Sequence, residues 1–244
     1  MNNLLLFFEV AVVFGVLLCF KRFFGREGVI AWVAIATILA NVITAKNADI
    51  FGLSTAIGTV LFASTFLATD ILSECYGERD ARKAVYLGLC SSAVLIVATQ
   101  IALSYKPSAF DYADGAMQTL FSMNLRISLA SMVMYFISNM ADVYLFNKLK
   151  RKMQGRKMWV RNNVSTILCN CLENFGFIGL AFAGIYDGKT IFTIALSTSI
   201  IELIVALLDT PFLYLAKRIK TKDERQGLKE VREDIFQRNG KTAG

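Results

Sequence analysis

The chain has 244 residues, 55% of them apolar, with a mean hydropathy of +0.52, a net charge of +7 and only two prolines. Soluble domains average nearer 45–50% apolar, so an ordinary water-soluble globule is a poor description. No histidine is present, which removes most general acid–base and metal-ligand schemes at once.

In chain order, the apolar residues come in blocks rather than at helical or strand periods. Seven blocks run approximately 4–20, 29–45, 51–73, 83–104, 119–147, 164–185 and 190–216. At 1.5 Å per residue each can cross roughly 30 Å of hydrocarbon. Backbone groups in lipid must be satisfied internally, so each block predicts a helix. The expectation is an all-α, polytopic membrane bundle of seven transmembrane helices. It forms one domain over residues 1–220, followed by a charged cytoplasmic tail over 221–244. The first block has no basic residue before it and no small-residue cleavage site, and Lys21-Arg22 follow it. It therefore reads as a retained helix rather than a signal peptide.

The positive charge is distributed by side rather than gathered for nucleic acid. Alternate connections (Lys21 to Arg26, Arg79 to Lys83, Lys148 to Arg161, and the tail from Lys217) hold 22 of the basic residues, the other connections hold three, and Arg126 lies inside a block. The positive-inside rule then puts the amino terminus outside and the carboxyl terminus in the cytoplasm, as an odd number of spans requires. Contact of these residues with membrane lipid is a lesser role. The connection from Tyr105 to Gln118, with Pro107, Asp111, Asp114 and Gly115, reads as an exposed outer turn, and Gly155 lies in a short basic connection. Beyond Lys220, Leu228, Val231 and Ile235 give weak helical spacing, which suits a surface helix or a disordered tail.

Cys19, Cys75, Cys90, Cys169 and Cys171 lie in or beside blocks. Cys169 and Cys171 point about 200° apart on a helix and cannot clamp one metal, so no metal or cofactor is expected and small buried hydrophobes is the plainer reading.

One pattern recurs. Asn139-x-x-Asp142-x-x-x-Phe146 and Asn170-x-x-Glu173-x-x-x-Phe177 fall in consecutive blocks. Each asparagine lies roughly 15 Å from the cytoplasmic boundary, so two antiparallel helices present a matched polar pair near mid-bilayer, as transporters often do. The blocks also carry Asp70, Arg126, Asp142, Glu173, Glu202 and Asp209, with Glu74 at an inner end. A charge in a span costs about 2.5–3.5 kcal/mol on insertion scales, so each needs a reason. The acids can be held neutral, can accept structural hydrogen bonds, or can line a wet cavity. Asp70, Asp142 and Asp209 are within reach of basic residues at the inner end, whereas Glu173 and Glu202 lie deeper and suit a binding or proton-carrying role. Asn139 and Asn170 offer donors and an acceptor to the edge of a heterocyclic base. Tyr135, Phe136, Phe175 and Phe177 either stack on a ring or simply pack. There is no Gly-x-Ser-x-Gly, His-Glu-x-x-His or Walker-type loop, so neither an enzyme nor a self-contained ATP-driven pump is expected.

Several stretches carry a family resemblance: Leu67-Ala-Thr-Asp-Ile-Leu-Ser-Glu-Cys-Tyr-Gly77 running on to Ala81-Arg-Lys-Ala-Val85; Arg126 to Ser131 with Tyr135, Ser138-Asn139, Asp142 and Phe146 to Lys150; Trp159-Val-Arg-Asn-Asn-Val-Ser-Thr166; Asp209-Thr-Pro211; and Ala31 to Asn41. In order and spacing the chain resembles the queuosine precursor transporter family, also called the vitamin uptake transporter family. The resemblance implies import of 7-deazaguanine bases (preQ0, preQ1 or queuine) across the bacterial inner membrane for tRNA modification. It sets Asp70, Glu74, Arg126, Asp142, Arg161 and Asn162 on the family's polar positions. Asn170 followed by Glu173-Asn174 departs from the family pattern, and Glu202 stands where a lysine is expected. That reversal predicts a preference for a more cationic ligand, such as the aminomethyl base, or for a molecule outside this class.

The resulting expectation is a substrate site of Asn139, Asn170, Glu173, Glu202, Arg126 and Asp70. A proton-carrying or structural network of Glu74, Asp142, Arg161, Asn162 and Asp209 accompanies it. The alternative is the substrate-binding subunit of an energy-coupling-factor importer, which would copurify with an ATPase module; a scaffold would leave the mid-bilayer acids unexplained. Gly176-x-x-Gly179 suggests a homodimer contact.

Overall fold

Helix α1 (Asn2–Ile43) is broken at Gly25, whose φ of 62° and ψ of −137° lie in a region that glycine alone adopts freely. The break reverses the chain. Twelve residues of unbroken helix would separate Phe20 from Trp32 by about 18 Å, yet their rings lie 5.4 Å apart. A Cβ on Gly28 would stand 2.4 Å from the Phe20 carbonyl oxygen, so the two arms touch backbone to backbone. The connection expected between the first two blocks is thus reduced to one residue. The computed structural model describes residues 1–121 and 125–221; most of the charged tail lies outside the described residues.

The expected start of the third block at residue 51 is replaced by a hairpin of β1 (Asn47–Ile50) and β2 (Leu53–Ala56), paired antiparallel with Ile50 opposite Leu53. Phe51 and Gly52 both have positive φ, as a two-residue hairpin turn requires. Asn2 donates to the Asp49 carbonyl at 3.0 Å and Asn3 accepts from the Phe51 amide at 2.9 Å. The chain's first residues are thereby tied to this hairpin, which confirms the reversal at Gly25.

Helix α2 (Thr59–Cys75) is buried at almost every position from Thr59 to Ser73, which makes it the central helix. Around it stand α3 (Glu78–Ser104), α5 (Leu125–Lys152), α6 (Met158–Phe182) and α7 (Gly188–Arg218). The short α4 (Asp114–Phe121) covers the last five residues of the connection expected as an outer turn and the first three of the expected fifth block. Asp187 caps α7, accepting from the amides of Lys189 and Thr190 at 3.0 and 3.2 Å. Hydrogen bonds, chiefly from the Thr190 hydroxyl, hold this exposed carboxyl below its usual range.

The bundle is apolar outside and partly polar within. Phe8, Phe23, Val94, Leu168 and Leu207 are exposed, whereas Ser64, Thr65, Thr69, Asp70, Asn139 and Asp142 are fully buried. That inversion is what a hydrocarbon surrounding selects. Among the described residues five helices, α1, α3, α5, α6 and α7, are long and apolar enough to cross a membrane, and the chain is an integral membrane protein. Gly176 is used inside the chain: a Cβ there would meet the Met134 side chain at 2.2 Å, while Gly179 has open space beside it.

Candidate functional site

A cavity of about 560 Å³ opens at the end of the bundle where the β1–β2 hairpin, the end of α6 and the start of α7 meet. Its deeper wall holds Glu173, Asn174 and Glu202, and Phe62, Phe177 and Phe182 supply its aromatic faces. Glu173 lies about 14 Å from the end of α6, and Glu202 about 21 Å along α7 from Gly188. Glu173 Oε2 accepts from Ser138 Oγ at 2.6 Å, and Glu202 Oε2 accepts from Asn174 Nδ2 at 2.6 Å. Asn174 also donates to Ser199 at 3.2 Å. Among the described residues, no lysine or arginine lines this cavity.

Beneath it lies a neutral polar layer. Asn139 on α5 donates to the Tyr135 carbonyl at 3.0 Å and accepts from Thr65 at 3.4 Å. The contact of Ser138 with Glu173 fixes the antiparallel register of α5 and α6, so Asn139 and Asn170 lie within about 3 Å of the same level. Asn170 Oδ1 is buried and meets no hydrogen-bond partner among the described residues.

Three acids follow. Asp70 on α2 and Asp142 on α5 are fully enclosed, and the Ser165 hydroxyl of α6 lies beside the Asp142 carboxyl. The two carboxyls face each other, an arrangement that forms a hydrogen bond only when one carries the proton. Asp209 on α7 accepts from Asn162 Nδ2 at 2.6 Å. Asn162 and Asn163 also reach Thr210 Oγ1, at 3.3 and 2.8 Å, next to Pro211, which interrupts the α7 hydrogen-bond ladder.

The far end is closed by charge. Glu74 on α2 meets Arg161 Nη2 of α6 at 2.5 Å, Lys217 Nζ of α7 at 2.5 Å and Lys150 Nζ of α5 at 3.2 Å. Lys150 also donates to the Ser73 carbonyl at 2.7 Å. Arg161 is fully enclosed and lies 5.1 Å from the Phe146 ring. Nearby, Glu78 pairs with Arg82 and with Arg151.

The residues expected at the site thus separate by depth. Glu173 and Glu202 are on the cavity wall, Asn139 and Asn170 are below it, and Asp70 stands with Asp142 and Asp209. Glu74, Arg161 and Asn162 are at or near the opposite end. Arg126 reaches the carbonyls of Leu180 and Ala183, each at 2.8 Å, at the end of α6.

Sequence reasoning gave no site role to Asn174, Ser138, Asn41 or Lys21. Asn41, on the cavity wall, donates to the Thr37 carbonyl at 2.8 Å and to Ser92 at 3.4 Å. Lys21, read only as a topology signal, is fully buried and donates to the Ala216 carbonyl at 2.7 Å and to Cys75 Sγ at 3.1 Å. Glu9 of the first block was also passed over; it lines a second, largely apolar cavity of about 340 Å³ with Leu6, Val60 and Ile201. Asn174, one residue beyond Glu173, could have been found by asking which donor serves a buried acid.

The family described as "Putative vitamin uptake transporter" matches residues 56–216. Over 225 residues the chain is 34% identical to the "Probable queuosine precursor transporter" of Bacillus subtilis, covering 92% of this chain and 98% of that protein. It is 29% identical over 168 residues to the "Queuosine precursor transporter" of Escherichia coli, covering 64% of this chain and 70% of that protein. A Haemophilus influenzae protein, "Probable queuosine precursor transporter", is 30% identical over 55% of each chain. No solved structure matches.

Proposed function

Because the chain belongs to the vitamin uptake transporter family, we propose that it carries a queuosine precursor, a flat 7-deazaguanine base, inward across the bacterial cytoplasmic membrane. It is a transporter and not an enzyme. The observation that carries this reading is a cavity of about 560 Å³, with Glu173, Asn174 and Glu202 on its wall, inside a bundle whose outer surface is apolar. Its size suits a small bicyclic ligand, since pockets for such molecules run to roughly 300–1,000 Å³.

In this reading α1 crosses the membrane twice, once with each arm. With α2, α3, α5, α6 and α7 that makes seven passes, with the amino terminus outside. Glu173 and Glu202 bind the donor-rich edge of the base. Asn139 and Asn170 receive it one layer deeper, with Asp70 beneath them and Arg126 at the outer rim. Asp142, Asp209, Asn162, Arg161 and Glu74 form the network that separates the cavity from the cytoplasm. The facing carboxyls of Asp70 and Asp142 make a proton the coupling ion in this scheme.

The test is expression in a bacterium that neither makes nor imports deazaguanines, with each base supplied at low concentration and queuosine measured in tRNA. Restoration by one base, lost in Glu173→Gln, supports the reading. No restoration by any base, despite verified membrane expression, overturns uptake by this chain alone. Copurification of an ATPase module would then favour the substrate-binding subunit of an energy-coupling-factor importer.

A further inference from the structure

We infer that the cavity selects a cationic ligand, a flat heteroaromatic base bearing a protonated primary amine, over a neutral base of the same ring. The inference rests on the transport reading above and narrows its substrate. Two carboxyls, Glu173 and Glu202, stand on the deeper cavity wall, and among the described residues no basic side chain lines the cavity. The bridge between them is Asn174, adjacent to Glu173 in the chain and bonded to Glu202.

The hydrogen bonds define what these groups offer. Each glutamate uses Oε2 as an acceptor, from a hydroxyl in one case and an amide nitrogen in the other. Among the described residues no hydrogen bond is made to Oε1 of either, and both glutamates line the cavity. The site therefore presents two free acceptors and no donor of positive charge. Arg126, the basic residue of α5 nearest this end, is held on the α6 carbonyls. Lys150, Arg161 and Lys217 converge on Glu74 at the opposite end.

Against a largely apolar wall an uncompensated carboxylate is costly, and a ligand ammonium removes that cost where a neutral substituent does not. Charge-assisted hydrogen bonds are also about twice as strong as neutral ones. Phe62, Phe177 and Phe182 supply apolar and π faces for the ring. The same wall disfavours an anionic ligand by like-charge repulsion.

The probes are 7-aminomethyl-7-deazaguanine, cationic at neutral pH, and 7-cyano-7-deazaguanine, which is neutral. Binding is measured by calorimetry on the full-length protein in lipid nanodiscs at pH 7. The expected result is an affinity for the amine at least about tenfold above that for the nitrile, with the ratio falling towards one in Glu202→Gln. Glu202→Asp, which keeps the charge, retains the preference and serves if the glutamine variant does not fold. Equal affinities, or a tighter nitrile, overturn the inference and leave the transport reading standing. Binding of neither base overturns both.

Discussion

Arg161 Nη2 lies 2.5 Å from Glu74 Oε2, with the arginine fully enclosed and the glutamate nearly so. Removing one partner of a buried pair leaves the other charge uncompensated, which costs about 3–5 kcal/mol. Glu74→Gln is therefore expected to lower the melting temperature of the detergent-purified protein sharply. Lys217→Ala removes a half-exposed partner of the same carboxylate and is expected to cost no more than about 1 kcal/mol. Equal losses in the two variants would contradict this ranking.

The close approach of α3 to α5 depends on Gly88. A Cβ there would stand 1.9 Å from Tyr135 Oη and 2.8 Å from Cζ. Gly88→Ala should force the ring away from Thr37, its hydroxyl neighbour at 3.5 Å, and destabilise by about 1–3 kcal/mol. Shortening the partner in Gly88→Ala/Tyr135→Leu should recover part of that loss. A double variant no better than the sum of the two single changes, by thermal unfolding, would show that this contact is not the source.

Arg126 reaches two carbonyls at the end of α6, where helix carbonyls lack partners of their own. Arg126→Ala should destabilise by about 1.5–3 kcal/mol, the range for hydrogen bonds made by charged groups. Lysine, a point charge without the guanidinium fork, should restore half of it or less. Full recovery by Arg126→Lys in the same unfolding assay would mean that charge alone matters at this position.

Membrane sidedness gives a prediction independent of any substrate. In a cysteine-free background, Tyr112→Cys, at a residue 97% exposed before α4, should react with an impermeant maleimide added to intact cells. Arg156→Cys, between α5 and α6, should react only after permeabilisation. The reverse pattern would invert the proposed topology, and labelling of both from one side would overturn the assignment of α5 as a crossing.

The helices were legible because apolar blocks of membrane-spanning length leave the backbone one solution. Two parts of the fold were not. The single-residue reversal at Gly25 hides in a sequence where Phe23, Phe24 and Val29 keep the helical signal running on both sides, and only a glycine with positive φ marks it. The β1–β2 hairpin is too short and too mixed for a period-two pattern to stand out from the apolar block that follows. At the site, the buried acids could be picked out because charge in a span is costly. Their distances along the helices from the flanking basic residues could be read as well, but which of them meet could not, because that depends on which helix face meets α2. Lys21 shows the same limit: a flanking lysine and a fully buried one look alike until the carbonyl of Ala216 is set beside it.

The reversal at Gly25 divides labour within α1. The second arm contributes Ala40, Asn41 and Thr44 to the cavity wall, whereas the first arm supplies no lining residue and packs instead as a buttress, with Phe14 against Phe212 of α7 at 5.3 Å. Both arms lie ahead of the family-matched stretch, which starts at residue 56. Part of the vestibule is thus built from chain that the family signature does not constrain, so two proteins alike across that signature need not admit the same molecules.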